Sequence, residues 1–179
     1  MQCPSCRNSR LSPVKLEDEL PAMGCGKCGG ALISLLYYRH WAEQHSSGTK
    51  SLVQEGVVVS TASDSSVSLT CPKCSKLMTK FLLSSGHSNR IDLCKSCDEA
   101  WLDGGEWELL KALQLELELP NVFGEKWQIR IRKEQLDSMK YDRLVQAVGE
   151  ADAEKACGVK EWLKDNKNKA TIFQYIRSS

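Results

Sequence analysis

Four Cys-x-x-Cys pairs constrain this 179-residue chain more than any other feature of its sequence. Eight of the nine cysteines belong to them: Cys3/Cys6, Cys25/Cys28, Cys71/Cys74 and Cys94/Cys97. Eighteen residues separate the first two pairs and nineteen separate the last two, so the halves form an internal repeat. A Cys-x-x-Cys turn presents two thiolates on one side, and a hairpin between two such turns completes a tetrahedral metal site. The spacing therefore predicts two ribbons, each holding one structural Zn²⁺.

The alternatives to zinc depend on compartment and on ligand chemistry. An odd cysteine count does not favour a disulfide framework, and the first residues carry no secretion signal, so we expect a cytoplasmic protein. Iron in a rubredoxin-like site competes with zinc, since four thiolates suit either metal. The longest apolar stretch, residues 31–38, is too short to cross a bilayer, and we expect no membrane partner.

Four protein ligands close a metal site, and a closed site predicts a structural rather than catalytic role. The chain shows no nucleophile–base pattern and no phosphate-binding loop, so neither an enzyme nor a small-molecule substrate is expected. Each Zn²⁺ with four thiolates carries a charge of −2, and two such sites change the formal net charge from +1 to −3. This correction counts against reading the whole chain as a nucleic-acid binder.

Local patterns predict the elements around the second metal site. Residues 77–83 and 89–93 are β-prone and flank a glycine-containing tip, which predicts a hairpin. Asp103 and Glu106 have capping-box spacing before an apolar helical run. Between the repeats, residues 46–68 form a linker rich in Ser, Gly and Thr, in which Val57-Val58-Val59 is either a short strand or part of a tether.

Residues 71–106 contain three specific motifs: Cys71-Pro-Lys-Cys74, Ile91-Asp-Leu-Cys94-Lys-Ser-Cys97 and Trp101-Leu-Asp-Gly-Gly-Glu106. In these motifs the segment resembles the bacterial zinc-ribbon family named after transcription factor IIB. The chain departs from the pattern at Asp98-Glu99, where the family commonly has glycine, and the first repeat looks like a diverged copy. The resemblance implies a macromolecule-binding role, with transcription as one setting.

The predicted fold class is α+β: two small zinc-ribbon modules followed by a helical C-terminal region. The modules occupy residues 1–45 and 69–118, and residues 119–179 are predicted to form helices at 124–148, 151–165 and 168–177. Residues 113–119 and 127–132 alternate in polarity, which leaves helix and strand both open. Cys157 is a lone thiol on the second of these helices.

The leading functional hypothesis is a non-catalytic adaptor that binds a protein partner. The alternative is a nucleic-acid-binding or transcription-associated factor that uses the basic segment 126–143, with contacts from Lys126, Arg130, Arg132 and Lys133. Interleaved acidic residues also allow a plainer interpretation, in which this segment is a solvated helix face.

Overall fold

A computed structural model describes residues 1–46, 62 and 64–178 of the chain. The described residues confirm the predicted α+β class, with ribbon modules followed by a helical region. The first repeat contains β1 (Ser12–Glu17), β2 (Leu20–Gly24), β3 (Ala31–Ser34) and α1 (Leu35–His45). The second contains β4 (Thr79–Leu82), β5 (Arg90–Cys94), β6 (Glu99–Leu102) and α2 (Glu106–Ala112). Four helices follow the second repeat in the chain: α3 (Leu119–Val122), α4 (Glu125–Val148), α5 (Glu150–Lys164) and α6 (Lys169–Arg177).

The two ribbons share one antiparallel sheet, whose described strands run in the order β1-β2-β3-β6-β5-β4. Each repeat contributes a hairpin and a third strand that follows its second cysteine pair. These third strands pair with each other, with Leu32 opposite Trp101 and Ile33 opposite Ala100. Equivalent strands therefore meet at a central seam, and the internal sequence repeat becomes an approximate two-fold arrangement of strands. The sequence left open whether the ribbons touch, and this β3–β6 seam answers that question.

Alternation along the strands divides the sheet into two buried faces. Ala31, Ile33, Ala100 and Leu102 point to one face, which packs against apolar side chains of α1, α2 and α3. The partners from these helices include Tyr38, Trp41, Trp107, Leu110, Leu119 and Val122. We call this the helix face. Trp101 and Trp107 are both buried in the core, but the two side chains lie on opposite faces.

The opposite face carries both cysteine groups, and we call it the metal face. Its central row runs across the sheet through directly opposed residues: Lys80, Asp92, Trp101, Leu32, Met23 and Pro13. Leu32 and Trp101 belong to a single buried cluster with cysteines of both groups, together with Leu11, Leu69 and Met78. The two predicted metal sites are therefore parts of one hydrophobic layer.

The outer edge of β4 is covered by the start of α4. The Gln128 amide accepts from the Leu82 N–H at 3.2 Å and donates to the Leu82 carbonyl at 2.9 Å, as a neighbouring strand would. The Trp127 indole N–H donates to the Leu83 carbonyl at 3.2 Å. At the other edge, β1 carries Pro13 and a bulge between Lys15 and Glu17, two features that discourage pairing with another chain.

The described residues fall into two compact units, 1–132 and 133–178, with α4 running through the boundary between them. The three predicted C-terminal helices are confirmed as α4, α5 and α6, and residues 127–132 are helical. Residues 113–118 form no strand, and α3 begins at Leu119. Val57-Val58-Val59 lies outside the described residues. Among the helices described, none has the length and apolarity needed to cross a membrane.

Candidate metal centres

All four cysteine pairs adopt the same knuckle geometry. In each, the residue after the second cysteine has positive φ: Arg7 (58°), Gly29 (72°), Ser75 (60°) and Asp98 (56°). The N–H of that residue donates to the carbonyl of the first cysteine, at distances of 2.8–2.9 Å. This left-handed turn folds the backbone back, so that both thiols of the pair point to the same side.

The knuckles bring the eight predicted ligands together in two groups of four. In the first centre, the Sγ atoms of Cys3 and Cys6 lie 3.3 Å apart, and those of Cys6 and Cys25 lie 3.4 Å apart. In the second, the Cys74 and Cys94 sulfurs are separated by 3.6 Å. Within each group all ligand atoms lie within 4.8 Å of one another. Four sulfurs placed tetrahedrally at the usual 2.3 Å from zinc would have edges of about 3.8 Å, so each group can hold a metal ion.

The thiols of each centre differ in how easily they ionise. Burial raises the pKa of Cys6 to about 11. Burial also acts on Cys25, but hydrogen bonds from the Ser9 side chain and the Cys28 backbone lower its pKa to about 6. In the second centre, a backbone hydrogen bond from Lys76 lowers the pKa of Cys74 to about 7, while the hydrogen bond with Cys74 raises that of Cys97 to about 12. A cation is what allows all four sulfurs of such a group to ionise together.

A glycine at position 75 is expected to stabilise the second knuckle. Ser75 is exposed and holds a left-handed conformation that costs a non-glycine residue roughly 1 kcal/mol. We predict that Ser75→Gly raises the free energy of unfolding by about 0.5–1 kcal/mol, measured by urea unfolding of the metal-loaded chain. Ser96→Gly is the matched control in the partner knuckle. Position 96 does not have positive φ, so this change is expected to destabilise the protein.

Asp98 holds its left-handed position and also makes specific contacts with the first ribbon. Its carboxylate accepts two hydrogen bonds from the Arg39 guanidinium, at 2.6 and 3.2 Å. Its backbone carbonyl accepts from the Leu35 N–H at 2.9 Å, at the start of α1. The departure from glycine at this position therefore ties the last knuckle of the second ribbon to the helix of the first.

The turn between β6 and α2 departs from the predicted capping box. Glu106 makes the contact that a capping box requires of it: its Oε2 accepts from the Asp103 backbone N–H at 2.9 Å. The helix, however, begins at Glu106 with Gly105 as its N-cap, and the Asp103 side chain does not cap it. Asp103 Oδ1 instead accepts from the Trp101 indole N–H at 2.8 Å and from the Ser5 hydroxyl at 2.7 Å. The expectation that Asp103 caps the helix was wrong, because the Trp101 indole and the Ser5 hydroxyl donate to its side chain instead.

Glu106 is fully buried, and its titration should be visible in the stability of the protein. Burial raises its pKa from 4.5 to about 8, and the nearby Asp103 charge adds to this. Between these two pH values the folded protein keeps a proton that the unfolded chain releases. The free energy of unfolding therefore falls as pH rises through this window, by up to about 1.4 kcal/mol per pH unit.

Glu106→Gln should remove this pH dependence. We predict that the variant loses less stability than the parent between pH 6.5 and 8.5, measured by urea unfolding with free metal held constant. Comparison at equal pH cancels the titration of the cysteines. Glu108→Gln, an exposed position on the same helix, is the control and should keep the parental slope. Identical slopes for the parent and Glu106→Gln would contradict the prediction.

The four candidate nucleic-acid contacts lie on α4 and are exposed. The guanidinium of Arg130 stacks over the Trp127 ring, 4.1 Å from its centroid. Arg132 Nε donates to the Gln128 carbonyl at 3.2 Å. Lys126 precedes both, and Lys133 begins the second compact unit. The cations alternate with Glu125 and Glu134 along the same helix.

Comparison with protein-family models, with curated proteins and with solved structures found no match for this chain. The resemblance of residues 71–106 to the ribbons named after transcription factor IIB therefore stays a prediction.

Proposed function

We propose that this chain is a non-catalytic zinc-ribbon protein that binds a macromolecule, most simply another protein, and that two structural Zn²⁺ ions keep its ribbon unit folded. The observation that carries the proposal is the shared layer that contains both cysteine groups. Zinc fits the tetrahedral set of four sulfurs in each group, and thiolate ligation favours it over harder divalent cations. Cobalt substitution tests the metal assignment, since tetrahedral Co²⁺ bound by four thiolates has a distinctive absorption spectrum.

The burial of the sulfurs supports a structural rather than catalytic role. In each centre two cysteines are buried and two are half-buried, and the ribbon provides four ligands. A zinc ion with four protein ligands has no position left for water or substrate. Loss of one ligand would be needed before such a site could activate a nucleophile.

Exposed apolar side chains on the C-terminal unit support a protein partner. Trp162 is 59% exposed and Tyr175 is 76% exposed, and both lie on helices of residues 133–178. Leu136, Met139, Val159, Phe173 and Ile176 are also exposed in this unit. Tryptophan and tyrosine are enriched at the energetic centres of protein interfaces.

Affinity purification of the tagged chain, with and without nuclease, tests the proposed function. A protein partner is expected to survive nuclease and to be lost with Trp162→Ala, because truncation of an interface tryptophan commonly costs 2 kcal/mol or more. Leu77→Ala is the control, since Leu77 is 71% exposed but lies in the ribbon unit. Recovery of nucleic acid, together with loss of all partners after nuclease, would overturn protein binding.

The nucleic-acid alternative is supported by the exposure of the four cations on α4. If they contact phosphate, binding should weaken steeply with salt, and Lys126→Gln should reduce the slope of log affinity against log salt by about one. Glu125→Gln, one residue away, should not reduce that slope. An affinity for nucleic acid that does not change with salt concentration would contradict this alternative.

A further inference from the structure

The turn at residues 103–105 belongs to the second repeat but lies against both knuckles of the first metal centre. The Ser5 hydroxyl, between Cys3 and Cys6, donates to Asp103 Oδ1 at 2.7 Å. The backbone of Gly104 packs on the other knuckle so closely that an added Cβ would lie 2.4 Å from the Cys28 carbonyl oxygen. Each pair of ligands in the first centre therefore has a direct contact with the second ribbon.

The second ribbon also holds this turn in place. The Trp101 indole N–H donates to the same Asp103 oxygen that Ser5 uses, and Glu106 accepts from the Asp103 backbone N–H. The other oxygen, Oδ2, accepts from the Ser65 N–H at 2.8 Å. Strand β6 begins two residues after Cys97 and ends immediately before Asp103. Strand β6 therefore connects the second metal centre directly to the turn.

From these contacts we propose that Asp103 is a positioning residue that couples the two metal centres, so that metal bound at one raises the affinity of the other. Metal at Cys71, Cys74, Cys94 and Cys97 fixes β6 and the Asp103 carboxylate, and the carboxylate then holds Ser5 with the first knuckle in the ligating conformation. Thermodynamic linkage makes the effect equal in both directions. The inference goes beyond the proposed function and does not depend on any partner.

Native mass spectrometry of the full chain tests the coupling. The reduced, metal-free chain receives one equivalent of Zn²⁺, and the populations with zero, one and two ions are measured. Two independent centres of equal affinity leave half of the chains singly loaded, and centres of unequal affinity leave more. A tenfold coupling between equal centres lowers the singly loaded population to about a quarter. We expect the singly loaded population of the parent to lie clearly below that of a variant in which the coupling is removed.

Three substitutions assign the effect to the Ser5 hydroxyl, which donates to Asp103. Ser5→Ala should raise the singly loaded population to one half or more, and Ser5→Thr, which keeps a hydroxyl, should restore the parental distribution. Ser96→Ala is the matched control. Ser96 occupies the same position in a knuckle of the second ribbon, but its hydroxyl accepts from Lys76 of its own ribbon. This variant should behave as the parent does.

A second measurement separates coupling from simple support of the first knuckle. Ser5→Ala is expected to weaken Co²⁺ binding at the first centre about tenfold when the second centre is loaded. In a chain that also carries Cys94→Ser and Cys97→Ser, the same change should have less than a twofold effect. An equal loss in both backgrounds would overturn the proposal. Equal singly loaded populations for the parent and Ser5→Ala would also overturn it, and that result needs no variant of the second centre.

Discussion

Removal of the metal ions is expected to unfold residues 1–132. In small zinc domains the binding of a structural ion contributes on the order of 10–16 kcal/mol, which exceeds the whole stability of an ordinary domain. The metal face of this unit consists largely of the ligands themselves, with Leu11, Leu32, Leu69, Met78 and Trp101 as the additional buried apolar residues. Without the ions, the four thiols of each centre would have to remain close together in the folded protein with no cation to bind them.

Chelation monitored by near-ultraviolet circular dichroism measures this effect. The tryptophan signals should collapse as metal is removed, because Trp41, Trp101 and Trp107 are all buried in this unit. Cys94→Ser should bind less metal and lose part of these signals without chelator, because the first centre keeps its four cysteines. Cys157→Ser is the control, since Cys157 lies on α5 outside both centres and its loss should leave two ions per chain. A metal-free protein with an intact near-ultraviolet spectrum would contradict the prediction.

Trp101→Ala is expected to cause the largest loss of stability among substitutions that spare the cysteines. Trp101 is fully buried at the seam, pairs with Leu32 and Asp92, and packs on Gly30, where an added Cβ would lie 2.4 Å from its ring. Large-to-small changes at such positions cost about 3–5 kcal/mol. The loss of the indole N–H also leaves Asp103 Oδ1 with one donor fewer.

Two further variants separate these contributions. Trp101→Phe keeps an aromatic ring but removes the donor to Asp103, and we expect about 1–3 kcal/mol of destabilisation from the lost hydrogen bond. Trp162→Ala removes a tryptophan that is 59% exposed and should change the free energy of unfolding by less than about 0.5 kcal/mol. Chemical unfolding of the metal-loaded chains measures all three. A Trp101→Ala protein as stable as Trp162→Ala would show that the seam does not depend on this side chain.

Local features of the chain were largely predictable from the sequence. The cysteine pairs, the hairpin of the second repeat and the three C-terminal helices each depend on residues close together in the chain. The left-handed turns after the knuckles are also local features, although among the four residues only Gly29 is of a type that favours positive φ. Each of these features is specified by backbone preferences and hydrogen bonds between residues close together in the chain.

The seam between β3 and β6 depended on non-local pairing and was not predicted. Neither Ala-Leu-Ile-Ser nor Glu-Ala-Trp-Leu identifies its partner, because many apolar strands are mutually compatible in an antiparallel sheet. The prediction that the Asp103 side chain caps α2 failed for a similar reason. Its spacing from Glu106 is local and predicts a cap, whereas Ser5 lies 98 residues away in the chain. Symmetry between the repeats was the available signal, since β3 and β6 follow equivalent cysteine pairs.

The central seam also has a consequence for the synthesis of the protein. Strand β3 ends at Ser34, and its partner β6 is completed only at Leu102. At translation rates of about 5–20 residues per second, the nascent first ribbon waits roughly 3–14 seconds with an unpaired apolar edge. Such an edge is a template for pairing with another nascent chain. Two neighbouring ribosomes on one message could thus exchange first ribbons, and the protein would then emerge as a strand-swapped dimer.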